Sequence, residues 1–185
     1  MTPNDFNILL EQKRKELENA LRIRLPVIIG RKAADFYKDN FRQRGFVNNG
    51  LHPWPETHRQ RTGGNRAASR YGPLMSARQN LYGSIRYVPG DARVTVGTSV
   101  HYAEIHNQGG NIAVTPRMRK FAWRQFFEAG GKKVPMAPEA AKWKAIALTK
   151  HNIHIPQRQF IGESKELNDI IRQTIDKELT NILKQ

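Results

Sequence analysis

The sequence predicts an α+β domain: a small, mostly antiparallel sheet flanked by N-terminal helices and a C-terminal amphipathic helix, with a long mobile basic loop. Three observations point there. Leu167, Ile170, Ile171, Ile175, Leu179, Ile182 and Leu183 form a continuous stripe at helical spacing. Ile85 and Tyr87, then Val94 and Val96, alternate with polar residues on either side of Pro89-Gly90-Asp91, the pattern of a hairpin with one buried face. The order of segments, helices first, then this hairpin, then helices mixed with short strands, argues an α+β arrangement.

From Asn4 to about Arg24, Phe6, Leu9, Leu10, Leu17 and Leu21 recur at mostly helical spacing around the charged run Glu11 to Glu18, so this is an amphipathic helix. Pro26 suits the first turn of a second helix or a kink in a continuous one, and Val27, Ile28, Ala34, Tyr37 and Phe41 supply its stripe. Residues 1–43 are read as these N-terminal helices. From Arg44 to Tyr71 periodicity vanishes amid paired Asn and Gly, Pro53-Trp54-Pro55 and five arginines. A long stretch without its own repeat is functional or disordered, and residues 44–75 are read as a mobile basic loop. Ser76 with Gln79 has the form of a capping box, which predicts a short helix from about Ala77 to Gly83 with Leu81 inward.

After the hairpin, a short helix through Tyr102, Ile105 and His106 ends at Gly109-Gly110, and Ile112 and Val114 read as a brief strand. Met118 to Ala129 is aromatic and basic at helical spacing, and Gly130-Gly131 stops it. From Lys142 to Ile155 the alanines favour a helix, while Ile146, Leu148, Ile153 and Ile155 alternate with polar residues; the preferred reading is a strand, ended by Pro156. Ser164 can cap the last helix, with Glu163 and Glu166 beside the positive end of its dipole. Residues 1–185 are thus expected to form one domain, with residues 76–185 as a sheet-and-helix core that carries a basic-aromatic insert at 117–142.

A chain of 185 residues with 38% apolar content can bury one real core. It has no cysteine, no apolar run of membrane-spanning length and no basic, apolar leader after Thr2, Asn4 and Asp5, so a soluble intracellular protein with no membrane contact is expected. The formal charge is +15. From Asn40 to Pro138, fifteen Lys and Arg face four acids, a net of +11, whereas each flank has eight Lys and Arg against six acids. Such a middle is suited to lie beside a polyanion.

Candidate chemistry is sparse. His101 and His106 lie five apart, which is not one helix face, and His151 and His154 lie three apart, which on a strand points them to opposite sides, so neither spacing makes a chelate. The carboxylates of the basic middle are isolated, and neither a GxSxG elbow nor a phosphate-binding glycine loop occurs. No catalytic residue, cofactor or metal is therefore expected. Arginines with Trp54, Tyr71, Phe121, Trp123, Phe126 and Phe127 could hold single-stranded nucleic acid by phosphate contact and stacking. For Phe121, Trp123, Phe126 and Phe127 the favoured reading is packing within the fold or between subunits; for Arg59, Arg61, Arg66 and Arg70 it is a neighbouring polyanion.

Read in order, RGFVNNGLHPWP, MSARQNLYGSIRY, VTVGTSVHYAEIHNQGG and IPQRQFIGES leading into the last helix resemble the phage virion morphogenesis family, the Mu G-like tail-completion proteins. The resemblance runs from about Phe41 to the C-terminus and is most specific in HYAEIHNQGG and IPQRQFIG. Tyr102, His106, Gly109, Gly110, Pro156 and Phe160 read there as fold-setting: a rigid corner after a short helix, and an extended lead-in that anchors Phe160 and Ile161 under the last helix. The resemblance implies a non-enzymatic α+β subunit that completes the tail or joins it to the head, as a homo-oligomeric ring, typically hexameric, through whose lumen DNA passes. Its implied partners are further copies of itself, tail tube and neck or connector proteins, and DNA without sequence reading. Its implied place is the host cytoplasm during assembly and then the virion. On that reading Arg59, Arg61, Arg66 and Arg70 face the lumen or a neighbouring tail component. Met118 to Lys142 departs from the family pattern. The alternative function is a free basic nucleic-acid-binding protein.

Overall fold

Pro26 shapes how the chain begins to fold. A computed structural model describes residues 3–57, 60–61, 71–132 and 135–184. In it α1 (Pro3–Asn19) runs through a π-helical turn (Ala20–Arg24) into α2 (Leu25–Gln43). Pro26, in the first turn of α2, has no N–H for the carbonyl four residues back, that of Arg22, and its ring crowds that carbonyl. A widened turn relieves such crowding, and the Arg22 carbonyl accepts from Ala92 N at 3.1 Å. The Arg22 guanidinium also clamps both oxygens of Asp91, at 2.7 and 2.6 Å, which holds the Asp91 carboxyl below its usual range. The turn of a later hairpin is thereby fixed to the junction of the first two helices.

Arg44, left-handed at φ 57°, ends α2 and leads into β1 (Gly45–Val47), which pairs antiparallel with β2 (Leu51–Pro53) around Asn49 and Gly50 at positive φ. The stretch read as loop thus opens with a hairpin. Three-residue strands are too short to show a period of two, although Asn49-Gly50 between Val47 and Leu51 is the turn signal that marks one. The next helix, α3, spans Asn80–Ser84 rather than Ala77–Gly83, because Gln79 is left-handed at φ 48° and cannot serve as the third residue of a capped turn. Leu81 is buried as expected. β3 (Arg86–Gly90) and β4 (Arg93–Gly97) form the expected hairpin, with Tyr87 opposite Val96 and Val88 opposite Thr95.

Two compact units result. The first comprises Met1–Gln108 with Arg158–Gln185, and includes α4 (Ala103–Gln108) and α7 (Lys165–Lys184). Its core gathers Ala33, Ala34, Tyr37, Phe41, Phe46, Trp54, Leu81, Ile85, Ala103, Phe160 and Leu167. Phe41 lies at the centre, with the rings of Phe160, Trp54 and Tyr82 at 5.2, 5.4 and 6.0 Å. Gly30 lets α2 approach the β3–β4 hairpin: a Cβ there would stand 2.5 Å from the Tyr87 ring and 2.7 Å from Val94.

The second unit, Gly109–Gln157, is a helical hairpin closed by a two-stranded ladder. β5 (Gly110–Ile112) pairs antiparallel with β6 (Ile153–Ile155), and between them run α5 (Pro116–Glu128) and α6 (Pro138–Leu148). Thr115 caps α5 by accepting from Met118 N at 3.2 Å, with Pro116 at the first helical position. The preferred strand from Lys142 is corrected here: residues up to Leu148 are helix and only Ile153–Ile155 are strand. Alanines decide this, since Ala140 and Ala147 are buried in the helical hairpin and lose little side-chain freedom there. The fold is therefore α+β, and among the described residues its antiparallel strands are distributed over three two-stranded ladders.

Two glycines of the first unit should respond to alanine with opposite signs. Gly30→Ala forces Tyr87 and Val94 to move and should lower stability by about 1–3 kcal/mol. Gly83→Ala, within α3 and with open space around its Cβ, should leave stability unchanged or raise it by about 0.5–1 kcal/mol. Urea unfolding of both variants reads the difference; equal losses would refute the close approach of α2 to the hairpin.

Candidate functional site

In the first unit the segment Arg158–Gly162 pairs in no ladder, bends at Ile161 and Gly162, and buries Arg158 and Phe160. Several of its backbone groups are nonetheless met, mostly by side chains. Trp54 Nε1 donates to the Gln159 carbonyl at 2.7 Å, Asn40 Nδ2 to that of Phe160 at 3.1 Å, and Tyr37 Oη to that of Gly162 at 2.9 Å. Asn107 acts as a surrogate strand edge: its Oδ1 accepts from Phe160 N at 2.8 Å and Ile161 N at 3.0 Å, while its Nδ2 donates to the Ile161 carbonyl at 3.0 Å. Arg158 N donates to the His106 carbonyl at 2.8 Å. The buried Arg158 guanidinium donates to the carbonyls of Pro55 at 2.9 Å and Glu56 at 3.3 Å.

The segment then delivers the chain to α7. Ser164 Oγ accepts from Leu167 N at 3.2 Å and caps the helix, as its sequence position predicts. Glu166, in the first turn, accepts from Gly50 N at 2.9 Å and Asn49 N at 3.1 Å. These backbone donors hold its carboxyl below the usual range. The β1–β2 turn is thus tied to the start of α7.

Among the residues read as fold-setting, Tyr102, His106 and Phe160 lie in the first unit. Tyr102 and His106 meet edge to face at 5.9 Å. Both line an open cavity of about 430 Å³ together with Thr57, Leu74, Met75, Ser76, Leu81 and Arg158. His106 Nδ1 is buried with no hydrogen-bond partner among the described residues. Burial, and after it the Arg158 charge, push the pKa of His106 below 6.5. Gly109, Gly110 and Pro156 belong to the second unit, where Gly109 takes φ 74° and a Cβ on it would meet Gln157 N at 2.9 Å. Asn40 and Arg158 carry the network without having been singled out by sequence, and Trp54, read there as a ring that could stack on a base, instead donates into the core. The signal for Asn40 was present: a polar residue beside Phe41 on the apolar stripe of α2 must find buried partners.

Of the loop arginines, Arg61 is exposed beside a turn in which its N–H donates to the Thr57 carbonyl at 3.3 Å. Arg59, Arg66 and Arg70 lie outside the described residues. In the second unit Phe126 is buried, Trp123 is half-buried against the rings of Phe126 at 5.5 Å and Phe127 at 6.2 Å, and Phe121 meets Trp143 at 5.9 Å. Phe121 and Phe127 are nevertheless 56% and 53% exposed. α1 shows a further uncovered surface. It packs on α7, where Lys13 Nζ donates to the Ile182 carbonyl at 2.8 Å, while Phe6, Leu9 and Leu10, one and two turns earlier on the same face, are exposed. Among the described residues no three His, Asp or Glu side chains cluster as metal ligands would, and no helix is long and apolar enough to cross a membrane.

Compared with known proteins, residues 29–180 match the model of the phage virion morphogenesis family. No curated protein and no solved structure matches the chain.

Two measurements check the site. Asn107→Ala strands two N–H groups and one carbonyl in the core, at about 1–3 kcal/mol for each group that water does not reach, so unfolding should show a loss of at least about 2 kcal/mol. His106 gives a pH signature. Its native pKa is lowered, so the unfolded chain binds the proton more readily; its contribution is fully present above about pH 6.5 and is lost as pH falls through the lowered native value. Wild type should therefore lose more stability than His106→Gln between about pH 7 and pH 5, and parallel pH profiles would refute this.

Proposed function

The chain belongs to the phage virion morphogenesis family, and with that premise we propose that it completes the tail or joins it to the head as a homo-oligomeric ring, without enzymatic activity. A part in building the phage virion follows from family membership itself. The finer reading rests on one observation: the stripe by which α1 packs on α7 continues past its partner as uncovered Phe6, Leu9 and Leu10. Large apolar side chains in a contiguous exposed row mark an association surface. A second copy of the chain is the occupant that an assembling subunit supplies, and a closed ring uses the same pair of surfaces at every contact.

The network around Arg158–Gly162 suits such a subunit, because it spends the buried polar groups of its most specific motif on rigidity. Arg59, Arg61, Arg66 and Arg70 are assigned to the lumen or to a neighbouring tail component, which the exposure of Arg61 supports. Tail tube and neck proteins are the remaining partners, and assembly takes place in the host cytoplasm before incorporation into the virion.

The test is oligomeric state. Purified protein should run as an oligomer in light scattering and form rings in electron micrographs, and Phe6→Asp with Leu10→Asp should shift it to monomer while leaving its circular dichroism unchanged. A wild-type monomer, or a double variant that still assembles, would refute the ring. In an infected host, loss of this protein should leave full heads beside unattached or misassembled tails.

A further inference from the structure

The second unit holds an unusual charge density. Over residues 109–157 nine Lys and Arg face two acids, a net of +7 out of the chain's +15. On α5, Arg117, Lys120 and Arg124 recur at spacings of three and four and are all exposed, which makes one cationic face. The exposed rings of Phe121 and Phe127 share this face. Lys132 Nζ lies 5.5 Å from the centre of the Phe127 ring and Lys142 Nζ 5.8 Å from that of Trp143. Glu128 pairs with Arg124 at 2.7 Å; Arg117, Lys120, Lys142 and Lys144 stand exposed on the same two helices. Ala122 and Phe126 of α5, with Ala140 and Ala147 of α6, take up the buried side, so fold stability does not call for these charges.

We infer that the α5–α6 hairpin binds nucleic acid, holding the phosphate backbone with these cations and stacking Phe121 and Phe127 on accessible bases, without reading sequence. Charge complementarity selects this partner. A second copy would bring +7 against +7, which repels. An anionic bilayer suits a helix whose rings and cations occupy opposite faces, whereas on α5 they are interleaved on one. Phosphates and bases present both chemistries side by side. The inference stands apart from the ring assignment, which rests on α1.

Fluorescence anisotropy of the full chain with a labelled single-stranded oligonucleotide and its duplex tests it. Lys120→Glu, Lys142→Glu and Lys144→Glu together should weaken binding to both probes at least tenfold and flatten the slope of log affinity against log salt by about three. Lys165→Glu, Arg172→Glu and Lys177→Glu, exposed on α7, change the net charge equally and should weaken binding far less. Phe121→Ala with Phe127→Ala should weaken the single strand about tenfold and the duplex less. Circular dichroism confirms folding of each variant. Equal losses from the two charge-reversed proteins overturn the proposal. So does a hairpin variant that keeps its DNA affinity but no longer binds phosphatidylglycerol vesicles.

Discussion

Much of the first unit is arranged around one requirement: the segment Arg158–Gly162, which belongs to no strand, enters the apolar core at Phe160 with no neighbouring strand to meet its backbone. A buried amide or carbonyl left unmet costs about 1–3 kcal/mol, and a segment of this length holds enough of them to unfold a domain of ordinary stability. The chain meets the requirement with Tyr37 and Asn40 from α2, Trp54 after β2, and Asn107 from α4. Each of these elements is thereby fixed against the segment as well as by its apolar face. Phe160, packed against Phe41, and Leu167 of α7 then complete the core.

That arrangement has a consequence for function. Side-chain donors and acceptors of fixed direction specify one geometry, whereas apolar packing tolerates several. A subunit that must present the same surfaces to every neighbour gains from such fixity. The same logic explains the joint between α1 and α2, where the carbonyl freed by Pro26 and the guanidinium of Arg22 meet the β3–β4 turn. Within the first unit this frame is buried, while Phe6, Leu9 and Leu10 of α1 are exposed.

Much of the α+β architecture was legible in the sequence because long amphipathic periods are strong signals. α7 and the β3–β4 hairpin were read from their spacing, and Ser164 from its position before a stripe. Legibility failed where competing patterns were short. Lys142 to Leu148 could satisfy a period of two or of 3.6, and the burial of Ala140 and Ala147 against α5 decided for helix. β1 and β2 were missed because three residues cannot display a period. The capping box at Ser76 failed because Gln79 took a left-handed conformation, which side-chain identity alone does not exclude.

The sequence by itself determined the helical stripes, the hairpin turn, the excess of positive charge and the motifs that mark the family, since all of these are local or additive. Only the tertiary structure decided where the charge and the polar groups go. Of the charge in the middle of the sequence, the part over residues 109–157 falls on a helical hairpin that is a compact unit of its own. Asn40, Asn107 and Arg158 become the frame of the core because their partners lie 53 to 120 residues away, a separation over which no local pattern carries information.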